Sequence, residues 1–310
     1  MHEHIARVMY YFSVHLLYAS MVGALAGVLT TIRGASATTK YWIWVVTALN
    51  FIMPTGALLD KLWAPHLSWA APLGALGGPI WEMTKGQPAV VLSVLWISGA
   101  LVMLVRLVLR ISKECCEAQA PAHLGDRSVM SDFIAEGIPV SFRNGHPSPA
   151  VRGAFYPHIL LPIGIDRLLD QRELNAVLIH ELAHAKRRDN LLRLLYEISL
   201  CVLWFHPLVW LAGERMALYR ELSCDECVIR RAHGAALVSA LAKLAVPKQA
   251  LFLQATVSSH LSYRLACLTG PTSTTHRATN LLLTSLFAAV IASGTFQTVA
   301  HTACCFAVKR

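Results

Sequence analysis

The sequence predicts a mainly α-helical integral membrane protein, in which an α+β domain is inserted between the third and fourth of four spanning helices. Three observations predict it. Of 310 residues, 55% are hydrophobic and only 15% are charged, which is too apolar for an ordinary soluble domain. Four stretches carry no Asp, Glu, Lys or Arg: Val8 to Ile32, Tyr41 to Leu59, Gly86 to Val105 and Ala278 to Val308. Each is long enough for a hydrocarbon core that needs about 20 apolar residues. Most of the charge falls between Arg110 and Arg277. The chain therefore divides into a three-helix transmembrane region (1–109), a working domain (110–277), and a fourth helix with a short tail (278–310).

The first apolar stretch is far longer than the roughly 7 to 15 residues of a cleavable signal core, and Glu3 sits beside Arg7, so it is expected to stay as a helix. Arg33, Lys40, Arg106, Arg110, Lys113, Arg264 and Arg277 flank the spans on one side. They outnumber Arg7, Lys61, Lys85, Lys309 and Arg310 on the other, where Glu3, Asp60 and Glu82 partly offset the charge. The bias puts the working domain in the cytoplasm and the loop from Asp60 to Lys85 outside. The net charge of +9 is thus read as topology, because no basic run is interleaved with aromatics and direct nucleic-acid binding is not expected. The eight cysteines show no disulfide framework, which fits a reducing compartment. Cys224 and Cys227 form a lone CxxC with no second pair to complete a four-cysteine site.

Within the working domain, Asp132 to Asp166 is broken by Gly137, Pro139, Gly145, Pro147, Pro149, Gly153, Pro157 and Pro162 and reads as short strands and turns. His158-Ile159-Leu160-Leu161, bounded by Pro157 and Pro162, is expected to be an edge strand. From Asp170 the period changes to three- and four-residue steps through Leu174, Val177, Leu178, Glu181 and Leu182. Asp170 is the expected N-cap, with Glu173 completing a capping box.

That helix carries His180-Glu181-Leu182-Ala183-His184. Two histidines four apart lie on one helical face, so both imidazoles reach one metal ion and Glu181 reaches a water on it. HExxH arises by chance in roughly two chains of this length per hundred, so context has to decide. Catalytic zinc usually takes three protein ligands and leaves the fourth position to water. Glu197 would lie about 20 Å further along the same helix, while Glu214 and Glu226 remain within reach. Glu221 is the preferred third ligand, because Asp225 follows it at i+4 and orients a ligand imidazole through its free N–H.

This choice forbids a membrane crossing between the ligands. The apolar stretch from Ile198 to Gly213 is about 16 residues, short for a span, and His206-Pro207 interrupts it. It is expected to dip into the membrane or to pack on the spans, with His206 a structural residue at the break.

Together these residues resemble the BlaR/MecR-type integral-membrane zinc metallopeptidases, peptidase family M56. The likeness runs from Pro149 to Val228, through Tyr156 to Pro162, Glu173 to Asp189, Trp204 to Trp210 and Arg220 to Asp225, in the family's order and approximate spacing. It implies Zn²⁺ held by His180, His184 and Glu221, Glu181 as general base, and a gluzincin-like domain in a bacterial inner membrane facing the cytoplasm. Family members that sense β-lactams carry an extracellular penicillin-binding domain after the fourth span, whereas this sequence stops at Arg310. The expected substrate is a protein or peptide: a transcriptional repressor, the chain itself or another membrane-associated protein.

Zincins commonly align substrate as a strand added to a sheet edge, and His158 to Leu161 is the candidate here. Arg264 and Tyr219 are candidate oxyanion donors, and Lys186-Arg187-Arg188 is expected at the lipid headgroups or on a solvated face. Two other readings remain. One is a quality-control or processing protease of the HtpX type; the other is a non-catalytic transducer with a structural zinc site, which Glu181 and the open fourth position disfavour.

Overall fold

The computed structural model describes residues 2–52, 87–118, 137–144, 148–245, 254–269 and 277–291. Helices α1 (His2–Leu29), α2 (Ala37–Ile52) and α3 (Gln87–Ala118) occupy the first three apolar stretches. Among the described residues one segment, Val90–Glu114 in α3, is long and apolar enough to cross a membrane, and it turns Leu92, Val94, Ile97 and Leu101 outward. His15–Leu29 and α10 (Arg277–Ile291) are shorter apolar helices. The expected far end of the second span, the loop at 60–85 and residues 292–310 lie outside the described residues. α2 is the most enclosed helix of the group: Tyr41, Trp44, Val45, Ala48 and Phe51 are all at most 2% exposed.

The inserted domain begins with three short strands, β1 (Val140–Arg143), β2 (Ala150–Arg152) and β3 (His158–Pro162), in the order β1-β3-β2. β1 runs parallel to β3 and β2 antiparallel to it. His158 to Leu161 is therefore the central strand and not the expected edge. Pro157 precedes the strand and Pro162 closes it, so every interior residue keeps an N–H for the ladder. The free edge next to the rest of the domain belongs to β2.

A single-turn α4 (Ile165–Leu168) leads into α5 (Gln171–Arg187). The Asp170 carboxylate accepts from the backbone N–H groups of Arg172 and Glu173, and the Glu173 side chain accepts from Asp170 N–H, the reciprocal capping box. Lys243 and Ser239 of α8 (Gly234–Ala245) also donate to Glu173, tying the start of α5 to its neighbour. The apolar face of α5 (Leu174, Val177, Leu178, Leu182) packs into one core with Ile159 and Leu161 of β3 and Leu237 and Ala240 of α8.

α5 ends at Arg188, whose φ of 56° closes the helix, and α6 (Asp189–Val202) starts on the next residue. A non-glycine residue in the left-handed region costs about 1 kcal/mol, which the two flanking helices hold in place. After α6 the chain breaks at 203–206 and resumes as α7 (Pro207–Arg230), with Pro207 at a first-turn position that requires no N–H donor. The stretch from Ile198 to Gly213 is thus two helix ends meeting at a turn, not one continuous crossing. Indoles satisfy carbonyls around that turn: Trp96 donates to Val202 at 2.6 Å and Trp210 to Trp204 at 2.8 Å. Gly99 lets Trp204 lie against α3; a Cβ there would fall 2.2 Å from the indole. His206 bonds Ser20 at 3.0 Å and lies against Phe51 with the rings tilted, and its side chain makes no cap bond to α7. α9 (Gln254–Thr269) then returns alongside α7.

Two substitutions separate the cap from the core. Asp170→Ala should cost about 1 kcal/mol of stability through the lost cap. Leu178→Ala, at a fully buried position, should cost about 3 kcal/mol through lost burial and the cavity left behind. Thermal unfolding of the purified chain in detergent reads both, and equal losses would contradict this division of labour.

Candidate metal centre

One helical turn of α5 separates His180 from His184, and their Nε2 atoms approach to 3.1 Å with the rings edge to face. Glu221, from the middle of α7, brings Oε2 to 3.6 Å from His180 Nε2 and Oε1 to 3.8 Å from His184 Nε2. One ligand atom from each of the three residues lies within 4.8 Å of the other two.

The second ring nitrogens decide what this cluster can hold. His180 Nδ1 faces Asp225 Oδ1 at 3.1 Å, and His184 Nδ1 faces Asp189 Oδ2 at 2.7 Å. A carboxylate partner favours a proton on Nδ1, which leaves each Nε2 as the atom that can take a metal ion once it carries no proton. Two ring nitrogens 3.1 Å apart beside a carboxylate are held by a positive charge between them, a proton on His180 in the metal-free chain or a metal ion in its place. The donor set, two imidazoles and one carboxylate, suits a zinc-like divalent ion and leaves a coordination position open.

Charge around the cluster is balanced by arginines. Burial works against ionised Glu221, yet His184, His180 and Arg220 hold its carboxyl well below the usual carboxylate range. Burial likewise opposes ionised Asp225, and the Arg264 guanidinium, bonded through Nε at 2.9 Å and Nη2 at 2.8 Å, keeps it low together with His180. Arg264 also lies 3.2 Å from Glu221, so the candidate oxyanion donor is committed to carboxylates. Tyr219, the other candidate, points its hydroxyl at Thr30 O and takes Lys40 over its ring, away from the cluster. Glu197 pairs with Arg110 and Arg193, Glu226 bonds Ala37 and Thr38, and Glu214 is exposed; none joins the ligand set.

Asp189 escaped the sequence reading. Five residues beyond His184, a continuous helix would carry it off the histidine face, but the left-handed turn at Arg188 swings it back beneath the imidazole. The charged run Arg187-Arg188-Asp189 after the motif was the available signal. Arg187 is likewise not at a solvated face: it donates to Asp189 through Nε and Nη2, both at 2.6 Å, to Cys224 at 3.2 Å and to Ser223. His184, Asp189 and Cys224 form a second close group, but this guanidinium fills the space a second cation would need. Burial raises the Cys224 thiol, with Asp189 and Glu221 adding to the effect, so it stays protonated.

A cavity of about 630 Å³ opens onto the cluster, lined by His180, Glu181, His184 and Glu221 on one side and by Leu237, Leu241 and Leu244 of α8 on another. Ala150 and Val151 of the edge strand β2 line it too, whereas His158 to Leu161 do not. Asn190 donates to Val151 O at 2.9 Å and pins that strand.

The model of the BlaR1 peptidase M56 family matches residues 13–268. The chain belongs to the M56 peptidases. Regulatory protein BlaR1 of Bacillus licheniformis is 37% identical over 83 residues, 27% of this chain and 14% of that protein. The methicillin resistance mecR1 protein of Staphylococcus aureus is 26% identical over 98 residues, 32% of this chain and 17% of that protein. The matched stretches therefore span less than a fifth of either relative's length. As an M56 member the chain is a membrane-associated peptidase-family protein with a candidate metal centre.

The charges fix how the metal-free protein responds to pH. Asp189 and Asp225 are depressed, so their stabilisation is full above the unfolded value of about 3.9 and is lost as pH falls through their lower folded values. Burial opposes a charged His180, but Asp225 and Glu221 lift it to about 9. Its contribution is complete below the unfolded value of about 6.5 and disappears as pH rises through 9. Unfolding of chelator-treated protein should therefore show a stability plateau between pH of about 4 and 6.5 that declines on both sides. Arg187→Ala, which strands the buried Asp189 carboxylate, should cost about 3 kcal/mol on that plateau.

Proposed function

We propose that the chain is a membrane zinc endopeptidase that hydrolyses peptide bonds on the cytoplasmic side, within a regulated signalling pathway. Its expected substrate is a repressor, the chain itself or another membrane-associated protein. The observation that carries the reading is the pair of facing Nε2 atoms with Glu221 beside them and Glu181 on the wall of the same cavity. His180, His184 and Glu221 are assigned as ligands, Asp225 and Asp189 as the carboxylates that orient the two imidazoles, and Glu181 as general base.

His180, His184 and Glu221 would hold a zinc ion, which would supply Lewis-acid chemistry for activating water. Glu181 accepts the proton of the attacking water and returns it to the leaving amine. Asp225 and Asp189 stabilise the Nδ1 protons, keeping both Nε2 atoms aimed at one point. Arg264 and Arg220 offset the charge of Glu221 and Asp225, so that two carboxylates stay ionised in a largely buried place. β2 offers the edge on which a substrate strand could be laid, a role that moves here from His158 to Leu161 because β3 is enclosed by strands on both sides.

Glu181→Gln should retain one zinc per chain and lose activity by about 10²- to 10⁴-fold, measured as cleavage of candidate membrane and repressor proteins. Equal activity in wild type and variant would end the general-base assignment. Chelation should abolish cleavage and zinc should restore it. Because the metal displaces a proton from His180, apparent zinc affinity should fall about tenfold per pH unit below 9.

A further inference from the structure

α2, read from sequence as the second span, reaches the metal centre directly. We propose that Tyr41 on this helix is a positioning residue for the centre: its hydroxyl holds the Asp189 carboxylate that orients His184. The proposal rests on the ligand reading given above for His180, His184 and Glu221.

Tyr41 is 1% exposed, and its hydroxyl donates to Asp189 Oδ1 at 2.9 Å. Oδ2 of the same carboxylate faces His184 Nδ1 at 2.7 Å. Arg187 donates to both oxygens at 2.6 Å, and its guanidinium lies 4.3 Å from the centroid of the Tyr41 ring. Four donors thus meet a carboxylate that has about four lone-pair sites, and the group is saturated. The direction of each bond then matters. Arg187 alone would hold the carboxylate equally well in orientations rotated away from His184, because a guanidinium fork follows its partner. The Tyr41 hydroxyl approaches from a different helix and fixes the rotation. A phenyl ring would fill the same space under Arg187, so packing does not account for the hydroxyl.

The helix that bears this hydroxyl is itself fixed to the other ligand helix. Ala37 N–H at the start of α2 donates to Glu226 Oε1 at 2.7 Å, and the Thr38 hydroxyl bonds Glu226 Oε2 at 3.3 Å. Glu226 follows Glu221 and Asp225 on α7. α2 therefore touches both halves of the ligand set, through Tyr41 on the His184 side and through Glu226 on the Glu221 side. Movement of α2 along or about its axis changes the hydrogen bond that sets the His184 ring, so the centre senses this helix.

The test uses the full-length chain in detergent, stripped of metal and titrated with Co²⁺, whose visible spectrum reports ligand geometry. Tyr41→Phe keeps the ring, and its melting temperature is checked against wild type. It should weaken Co²⁺ binding about three- to tenfold, less than the 10- to 100-fold typical of losing a direct partner of a ligand, and should shift the visible bands. Thr47→Val removes a hydroxyl of the same helix that bonds the Ile43 carbonyl within α2, and it should bind Co²⁺ as wild type does. Tyr41→Phe combined with Asp189→Asn should bind no worse than Asp189→Asn alone, because both act through one carboxylate. Wild-type affinity and spectrum in Tyr41→Phe, additive losses in the double variant, or an equal loss in Thr47→Val would each overturn the proposal. His184→Ala separates the two levels of inference. If it binds Co²⁺ as wild type does, the ligand reading fails and this proposal falls with it. If it loses Co²⁺ while Tyr41→Phe does not, only the role of Tyr41 is overturned.

Discussion

Two imidazole nitrogens face each other at 3.1 Å, while His184 bonds Asp189 through its other nitrogen and the other nitrogen of His180 lies 3.1 Å from Asp225. Electrostatics makes that arrangement unfavourable without a shared cation, and much of the surrounding structure follows from supporting it. Glu221 contributes negative charge on one side, and Arg220 and Arg264 return positive charge so that buried carboxylates stay ionised. Arg187 does the same for Asp189 on the opposite side. The domain is a set of alternating charges arranged about one point, with the apolar core of α5, β3 and α8 holding the helices that carry them.

Much of this was legible in the sequence because it depends on helical period. His180, Glu181 and His184 fall on one face at three- and four-residue steps, Asp170 and Glu173 announce the helix start, and Glu221 with Asp225 repeats the i, i+4 logic on the facing helix. These relationships are local, and α-helical geometry converts spacing into direction. The break at His206-Pro207 was legible for the same reason, since a proline without an N–H belongs to a first turn.

What escaped is what periodicity cannot encode. Asp189 reaches His184 only because Arg188 adopts a left-handed conformation, and nothing in an Arg-Arg-Asp run marks that residue as the corner. Tyr41 lies 148 residues from Asp189 and sits in an apolar run, where a tyrosine reads as an interfacial anchor. The place of His158 to Leu161 was misjudged because flanking prolines look the same beside an edge strand and at the two ends of a central one. Arg187 and Arg264 read as surface or catalytic cations and turned out to be committed to carboxylates, a distinction that only three-dimensional neighbours make.

The turn between α6 and α7 bears on how the chain is assembled. Its Val202 carbonyl depends on the Trp96 indole, which lies 106 residues earlier in the sequence. A growing chain is made from its N-terminus, so the donor exists before the group that needs it. The apolar stretch around the turn can fold back against α3 as it emerges, with the donor for its Val202 carbonyl already made. The order of residues along the chain thus supplies the turn between the two ligand-bearing helices with its partner in time.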